Sequence, residues 1–350
     1  MQWNLVKMKI KDKLRHLRLQ IGAVFFDKKI APHQAEKAIK SILFLRQDGK
    51  IGDYIVSSFV FREIKKFNPQ IKIGVICTKK NAYLFQQNQY IDQLYYVKQR
   101  SIINYIKCGL SVAKEKYDLV IDPTVMIRNR DLLLLRLINA KNYIGYQKAN
   151  YGLFNINLEG EFHFSELYQL ALEKANIPVK DISYDVPFDN QSATEIAQFL
   201  RENRLQNYIA INFHGASSSR RFNNENIKAF LSRISTITNN KPIILLNYPS
   251  IYETLKETIS QQSSVFLYPT KNIFHTIELI KYCDQLISPD TSTVHIASGF
   301  NKPIIAFYKK EKANFTNWQP KSQADTHILF YKENINELSP TQINPDWLVK

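Results

Sequence analysis

Short apolar runs of strand length alternate with helix-like segments along most of this 350-residue chain, and few architectures accommodate such a pattern. Strands that are buried on both faces read as almost continuous apolar runs, and the helices between them cover a parallel sheet. The sequence therefore predicts an α/β fold with parallel sheets. The runs behind this prediction are Ser41–Leu45, Ile71–Cys77, Gln93–Val97, Tyr117–Asp122, Tyr208–Phe213, Pro242–Asn247, Val265–Leu267, Gln285–Ile287 and Pro303–Phe307.

The alternation is interrupted between Tyr151 and Asn190, where the pattern predicts a single helix, Ser165–Asn176. An irregular middle of this kind separates two α/β sheets, and ligands of such sheets bind beyond the carboxyl ends of the strands. At the other end of the chain, residues 335–350 are expected to form a closing helix that returns to the first domain. The predicted division is a basic N-terminal segment (1–40), a Rossmann-like domain with a linker (41–188) and a second Rossmann-like domain (189–350).

The composition, with 45% hydrophobic and 22% charged residues, is that of an ordinary globular protein long enough for two cores. The cysteines Cys77, Cys108 and Cys283 lie far apart, which argues against a zinc site or a disulfide framework and suits a reducing compartment. The apolar run Ile21–Phe26 is far shorter than the roughly 20 residues of a membrane span, and no cleavage pattern precedes Asp27. A cytoplasmic location is therefore expected.

The net charge of +16 indicates an anionic partner, and the excess is concentrated near the N-terminus. Through Lys40 the chain has ten Lys or Arg residues against three acidic residues, a net of +7. Two interpretations of this segment stay open: a membrane-surface helix, or a helix whose apolar stripe docks on the protein's own core. A nucleic-acid-binding module has no recognisable motif here. The apolar residues at helical spacing are Leu14, Leu17, Ile21, Val24 and Phe25.

The segment Ser288–His295 changes from strand to helix within a few residues. Such a turn leaves backbone N–H groups and hydroxyls at the positive end of a helix, where anions such as phosphate bind. Taken alone, the segment is explained better as an ordinary helix cap, because Asp and Thr are preferred capping residues. Its interpretation therefore depends on the other loops that accompany it.

Two further loops accompany it, and the three follow one another as Arg46–Asp53, Phe213–Phe222 and Pro289–His295. In this order and spacing they resemble the loops of the ADP-heptose:lipopolysaccharide heptosyltransferases, glycosyltransferase family 9. That family has an Arg-x-Asp-x-(x)-Gly-Asp loop, a central His-Pro/Gly-Gly/Ala loop with a basic residue, and a late Asp-Thr-Gly-x-x-His-x-Ala helix start. The resemblance extends over nearly the whole chain from Lys40 and includes Leu170–Pro178.

This resemblance implies a GT-B fold, in which two Rossmann-like domains face each other across a cleft. The C-terminal domain would bind an ADP-sugar and the N-terminal domain the acceptor, and transfer would proceed with inversion and without a metal or other cofactor. The implied reaction moves heptose from ADP-L-glycero-D-manno-heptose to Kdo on lipid A, with the enzyme peripheral on the anionic cytoplasmic face of the inner membrane. Two alternatives stay open: another nucleotide-sugar donor, or a non-catalytic basic module that binds polyanions or membranes.

The same resemblance assigns roles to individual residues. Asp53 matches the general base, and a carboxylate is already ionised at neutral pH. Arg220 matches the basic residue that binds the donor phosphates, and Glu253 matches a ribose contact. The other residues expected at the donor phosphates are Arg221, Ser217, Ser218, Asp290, Thr291, Ser292, Thr293 and His295, and those expected at the acceptor are Arg46, Asp48 and Lys50.

This sequence departs from the family pattern at three places. Ser292 stands where the family has Gly, and Ser permits fewer backbone conformations. Phe222-Asn223 stands in place of Trp-Pro, and Lys309-Lys310-Glu311 in place of Gly-Pro-Thr, which changes the donor side of the expected site. The long basic start before Ser41 is absent from shorter members and suits an acceptor that is anchored in a membrane.

Overall fold

The structure is a computed structural model that describes residue 14 and residues 17–32, 38–47, 49–260 and 262–349. The chain forms two compact units, and the segment that carries Asp53 belongs to the second of them. The N-terminal unit comprises the described residues up to Lys50, Val60–Gly160 and Ser165–Ile182, and the C-terminal unit comprises Ile51–Phe59, Glu161–Phe164 and the described residues from Ser183 onwards.

The N-terminal half of the chain builds one parallel sheet. The strands are β1 (Ser41–Arg46), β2 (Lys72–Cys77), β3 (Gln93–Tyr96), β4 (Leu119–Asp122), β5 (Asn142–Tyr146) and β6 (Ile156–Leu158). The helices are α1 (17–26), α2 (Ile51–Ser57), α3 (Phe59–Phe67), α4 (Ala82–Gln86), α5 (Ile102–Ala113), α6 (Asn129–Ile138) and α7 (Phe164–Lys174). In the described residues the strand order is β3-β2-β1-β4-β5-β6, with all neighbours parallel.

The C-terminal unit repeats this plan. Its strands are β7 (Ile209–Ile211), β8 (Ile243–Leu245), β9 (Val265–Leu267), β10 (Gln285–Pro289), β11 (Ile304–Lys309) and β12 (Thr326–Tyr331). Its further helices are α8 (Asn190–Glu202), α9 (Asn224–Ile237), α10 (Tyr252–Thr258), α11 (Ile273–Tyr282), α12 (Ser292–Gly299) and α13 (Lys312–Trp318). The order across the described sheet is β12-β11-β10-β7-β8-β9, again parallel throughout.

The predicted fold class is confirmed: the protein is α/β, with two Rossmann-like parallel sheets of the GT-B type. Parallel strands need crossover connections, and the helices in those connections cover the sheet. The central strands show the result, because Ile42–Leu45 of β1 and Leu286 and Ile287 of β10 are at most 1% exposed. The apolar runs of the sequence thus form the middle layer of each unit.

Two strands of the first sheet lie in stretches that the sequence does not predict as strands. β5 and β6 contain polar residues and Gly145, so the apolar signal is weak. Side-chain amides take part in the backbone pairing there: Asn155 accepts a hydrogen bond from Tyr143 N at 2.9 Å, and Asn157 accepts one from Lys148 N at 2.6 Å. The expectation of irregular structure beyond Tyr151 is therefore wrong for β6.

The C-terminal tail also differs from its prediction, because it forms short 3₁₀ turns in place of a closing helix. Pro340 and Pro345 each begin such a turn, and a proline inside an α-helix removes a hydrogen bond and collides with the preceding turn. The tail packs into the core of the C-terminal unit and does not return to the first domain. Its buried residues are Ile335, Leu338, Ile343 and Leu348.

A cluster of phenylalanines supports the loop that joins Phe213 to Phe222. The Phe222 ring lies 5.4 Å from Phe213, 5.1 Å from Phe230 and 5.5 Å from Phe307, measured between centroids, in edge-to-face geometry. All four side chains are at most 3% exposed. Since aromatic pairs of this geometry add to the energy of burial, the cluster holds both ends of the loop.

We expect Phe230→Ala to destabilise the protein by about 3–5 kcal/mol, because it removes a ring from the middle of this cluster and leaves a cavity. Urea unfolding followed by circular dichroism measures the change. The matched control is Phe188→Ala, since Phe188 is 59% exposed and its truncation is expected to cost less than about 0.5 kcal/mol. Equal effects of the two substitutions would contradict the packing described here.

Candidate active site

The candidate site of the C-terminal unit lies where its strand order reverses. β7 and β10 are neighbours in the sheet, but the chain continues from β7 towards one edge and from β10 towards the other. At such a switch point the loops after the two strands diverge and leave a crevice at the carboxyl ends. Asn212 follows β7 and Asp290 follows β10, so both residues begin loops at this point.

A network of side-chain hydroxyls joins the two loops. The Asn212 amide lies 3.3 Å from Ser288 Oγ, 3.2 Å from Thr291 Oγ1 and 3.4 Å from Thr293 Oγ1, and it donates to them. The two threonine hydroxyls are 2.6 Å apart, and Ser288 Oγ lies 2.7 Å from Thr293 Oγ1. The expected threonines are therefore brought together, and Asn212 and Ser288 are partners that the sequence did not reveal.

This network leaves the start of α12 open for an anion. Thr291 is the N-cap residue, yet its side chain makes no capping hydrogen bond to the helix backbone. The first N–H groups of an α-helix have no acceptor within the helix, and they carry the positive end of its dipole. Thr291 and Ser292 are partly exposed, so the start of α12 is in contact with solvent. The geometry is that of an anion site at a helix N-terminus.

A buried ion pair places a positive charge beside that helix start. Arg220 Nη1 lies 2.9 Å from Asp290 Oδ2 and also donates to the Asp290 carbonyl at 3.1 Å. Asn314 donates to the same carboxylate oxygen at 2.9 Å. The Asp290 side chain is 8% exposed, whereas the Arg220 side chain is 30% exposed. The carboxylate thus fixes the guanidinium, while part of the Arg220 side chain stays in contact with solvent.

The loop before Arg220 is a tight turn that depends on a glycine. Gly215 N donates to Arg220 O at 2.7 Å, and a Cβ on Gly215 would collide with Arg220 Cβ. Arg221 uses its guanidinium within the loop, since it donates to Gly215 O at 3.1 Å and to Ala216 O at 3.3 Å. Arg221 therefore shapes the turn that presents Arg220.

The remaining residues of this loop and the expected Glu253 differ in exposure. Ser217 and Ser218 are exposed, and Ser217 Oγ lies 3.0 Å from Ser219 Oγ. His214 is half-buried, and burial lowers the pKa of its imidazole, with a smaller contribution from Arg221. Glu253 is exposed in the first turn of α10, the helix that follows β8. The contacts described here do not join these side chains to the network around Asn212.

Asp53 lies on a helix that packs within the same unit as α12. A Cβ on Gly52 would lie 3.1 Å from His295 Cδ2 and 3.8 Å from Ser292 Cα, so α2 approaches α12 closely where α2 has no side chain. Asp53 is the next residue, partly exposed in the first turn of α2. The candidate base and the candidate anion site are therefore neighbours within one unit.

His295 of α12 is the side chain that Gly52 of α2 approaches. Its side chain is 3% exposed, its Nδ1 has no hydrogen-bond partner among the described residues, and its ring lies 5.7 Å from the ring of Trp318. Burial lowers the pKa of His295 to about 3, and the nearby His163 contributes in the same direction. The imidazole is therefore neutral at physiological pH and acts as a packing surface.

The N-terminal unit has its own switch point, between β1 and β4. Arg46 ends β1, is 1% exposed, and its guanidinium lies 5.7 Å from the ring centroid of Tyr168. Gln47 donates to Asp131 at 2.7 Å, which ties the loop after β1 to the start of α6. Of the other residues expected at the acceptor, Lys50 is exposed, and Asp48 lies outside the described residues.

Buried charges support the loop that follows β4. Lys148 is 0% exposed, and its ammonium donates to the carbonyls of Thr124, Val125 and Tyr146. Burial lowers the pKa of Lys148 and raises the pKa of Asp122, the last residue of β4. An ammonium that is satisfied by three carbonyls fixes the backbone of the loop. No sequence pattern singles out Lys148, because a lone lysine is typical of a protein surface.

The family assignment follows from the sequence comparison. Residues 106–348 match the model of glycosyltransferase family 9 (heptosyltransferase). The chain belongs to this family. It is therefore a glycosyltransferase, as its loops predict. The matched range includes both loops of the C-terminal switch point, and it begins after the loop that carries Asp53.

Known proteins similar to this family 9 glycosyltransferase agree with that assignment. Lipopolysaccharide heptosyltransferase 1 of Campylobacter coli is 24% identical over 74% of this chain and 81% of its own length. Two solved structures share the fold: a family 9 glycosyl transferase from Veillonella parvula and the ADP-heptose lps heptosyltransferase II of Escherichia coli. The former has a TM-score of 0.69 at 17% identity and covers 87% of this chain and 95% of its own. The latter has a TM-score of 0.66 at 15% identity with the same coverages.

The described part of this glycosyltransferase contains neither a candidate metal cluster nor a candidate membrane span. No group of three or more His, Cys, Asp or Glu residues there could hold a metal ion. No helix there has both the length and the apolar character that a membrane crossing requires.

We expect the stability of the protein to fall in acid in part because of His295. The unfolded imidazole takes up a proton below about pH 6.5, whereas the folded one does so only near pH 3, so stability is lost as the pH falls between these values. In His295→Met, the loss between about pH 7 and about pH 5 should be smaller by about 2 kcal/mol. Urea unfolding at both pH values measures the free energy of unfolding of each protein. The value at neutral pH is the reference for that protein, so the change in packing caused by the substitution cancels. Identical acid losses would contradict the buried neutral imidazole.

Proposed function

We propose that this glycosyltransferase transfers heptose, with inversion, from ADP-L-glycero-D-manno-heptose to the Kdo region of lipopolysaccharide. The observation that carries the proposal is the packing of Gly52 against His295, which sets Asp53 beside the helix start that Arg220 flanks. A single displacement at the anomeric carbon is then sufficient for transfer with inversion. The acceptor oxygen bonds to the anomeric carbon, its proton passes to Asp53, and the bond to the departing ADP breaks.

The donor diphosphate binds at the start of α12. The leaving group gains negative charge, and preorganised donors that meet this charge typically contribute about 10²–10³ in rate for each hydrogen bond. The N–H groups of Ser292 and Thr293 and the guanidinium of Arg220 supply such donors. Ser217, Ser218 and Arg221 lie along the phosphates, and Glu253 contacts the ribose. The name of the Escherichia coli neighbour, an ADP-heptose enzyme, supports adenosine as the nucleoside.

The acceptor binds in the domain of residues 41–188, and the donor in the domain of residues 189–350. Kdo and lipid A carry carboxylates and phosphates, which suit the net charge of +16. Arg46, Asp48 and Lys50 contact the acceptor, and the exposed Arg128 on the loop after β4 adds a further cation. The enzyme works at the cytoplasmic face of the inner membrane as a peripheral protein, because its acceptor is a lipid.

The decisive experiment supplies purified protein with ADP-heptose and a truncated lipid A–Kdo acceptor. Release of ADP together with a mass increase of one heptose on the acceptor supports the proposal. Competition by ADP, UDP and GDP then tests the nucleoside, and ADP should compete best. Stronger competition by UDP or GDP would indicate a donor with that nucleoside in place of ADP-heptose. Binding to polyanions without nucleotide release would favour a non-catalytic role.

Asp53→Asn should lower kcat by about 10²–10⁴ while ADP still binds, because the amide keeps the shape of the side chain and loses the proton acceptor. Turnover and ADP titration calorimetry measure the two effects. Asp346→Asn, at an exposed carboxylate in the C-terminal tail, is the matched control. Turnover like that of the wild type in Asp53→Asn would exclude Asp53 as the base.

Arg220→Ala should raise the donor KM and lower kcat, because the cation beside the phosphate site is lost and the buried carboxylate of Asp290 loses its ion pair with Arg220. Arg220→Lys should recover part of the loss, since it retains the charge without the bidentate fork. Arg201→Ala, at an exposed arginine of the same unit, controls for the change in net charge. Unchanged donor kinetics in Arg220→Ala would remove this residue from the donor site.

A further inference from the structure

Helix α1 presents two apolar faces, and one of them points to solvent. On the inner face Gly22 is buried, and Ala23 and Phe26 pack against the core of the N-terminal unit. On the outer face the large apolar side chains stay exposed. Their exposed fractions are 61% for Leu14, 53% for Leu17, 51% for Ile21, 81% for Val24 and 68% for Phe25.

The helix is fixed to α6 through its backbone. Asn129 donates to Arg18 O at 2.9 Å, and Arg136 donates to Phe25 O at 2.9 Å. A Cβ on Gly22 would collide with the side chain of Asn129, so the two helices meet where α1 has no side chain. These contacts use main-chain acceptors of α1 and leave its outer side chains unengaged by α6.

The end of α1 is anchored as well. The carboxylate of Asp27 accepts hydrogen bonds from Gly152 N at 2.7 Å and from Leu153 N at 3.0 Å. Arg136 also donates to Asp27 O at 3.1 Å. The exposed apolar face is therefore held in a defined position on the N-terminal unit.

Basic residues accompany this face. Arg18, Lys28 and Lys29 are exposed on or next to α1, and the sequence through Lys40 has ten basic residues against three acidic ones. A helix with exposed large apolar residues and flanking cations is the type that lies in the headgroup region of an anionic bilayer. We propose that α1 seats the N-terminal unit on anionic phospholipid, with Leu17, Ile21, Val24 and Phe25 inserted between the headgroups.

Other occupants fit this face less well. A nucleic acid would engage the cations but would leave the apolar residues in water. A second copy of the chain would bring two segments of net charge +7 together, and like charges at an interface are costly. The bilayer is the partner that meets both the apolar and the cationic parts.

Docking of α1 also places the acceptor side of the enzyme at the membrane. Asn129, which holds α1, follows directly on the loop after β4, where Val125 is 47% and Met126 is 51% exposed. Asp131, two residues later, accepts a hydrogen bond from Gln47, which lies on the loop after β1. This part of the inference rests on the proposed lipid-linked acceptor, whereas the docking itself does not.

The test is co-sedimentation of the full chain with vesicles, without any sugar nucleotide. Wild-type protein should bind vesicles of equimolar phosphatidylethanolamine and phosphatidylglycerol and bind phosphatidylcholine vesicles weakly. Val24→Ser with Phe25→Ser should weaken binding to the anionic vesicles by about tenfold or more, since both side chains lose apolar contact with lipid. Lys28→Gln with Lys29→Gln should weaken binding mainly at low salt.

Phe188→Ser is the matched control, because Phe188 is 59% exposed in the C-terminal unit, and it should bind vesicles as the wild type does. Thermal unfolding of each variant checks its fold, and Val24→Ser alone replaces the double variant if that one does not fold. Wild-type protein that fails to sediment with anionic vesicles overturns the proposal, as does undiminished binding of the folded Val24 variants. So does a preference for an oligonucleotide over the vesicles. Heptose transfer plays no part in these readouts, so its failure would leave this result intact.

Discussion

The buried carboxylate of Asp290 is the interaction on which the C-terminal site depends. An ionised carboxylate that leaves water is costly unless it is paired and hydrogen-bonded. Here Arg220 and Asn314 both donate to it, and part of the Arg220 side chain remains accessible to solvent. The desolvation cost of Asp290 is thus offset by a contact that also fixes a cation at the start of α12. Stability and anion binding share the same pair of residues.

The two units have the same topology but carry different residues at their switch points. Each sheet reverses its strand order once in the described residues, at β1–β4 and at β7–β10, and polar residues lie at both places. The C-terminal switch point presents helix N–H groups and hydroxyls, which suit a diphosphate. At the N-terminal one, buried groups such as Lys148 and Asp131 hold the loops in place, and exposed cations such as Arg128 lie on those loops.

The fold and the loops of the site could be predicted from the sequence to different extents. The alternation of apolar runs with helix-like segments predicted the sheets, because strands buried on both faces appear as short, nearly continuous apolar runs. It missed β5 and β6, where the side chains of Asn155 and Asn157 accept hydrogen bonds from the backbone, and it also missed β12. It misjudged a tail in which prolines begin short 3₁₀ turns. The loop motifs pointed to Asp290 and Arg220 but not to Asn212, since a partner across the sheet leaves no local pattern.

Helix α1 is held to α6 through its own carbonyl groups. These hydrogen bonds do not involve the side chains on the outer face of α1. Main-chain acceptors are the same for every residue type, so substitutions on the outer face do not disturb the anchoring. The composition of the outer face can therefore change while the attachment of α1 to α6 is kept. A residue with a β-carbon at position 22, by contrast, would have to displace the side chain of Asn129, which donates to Arg18 O.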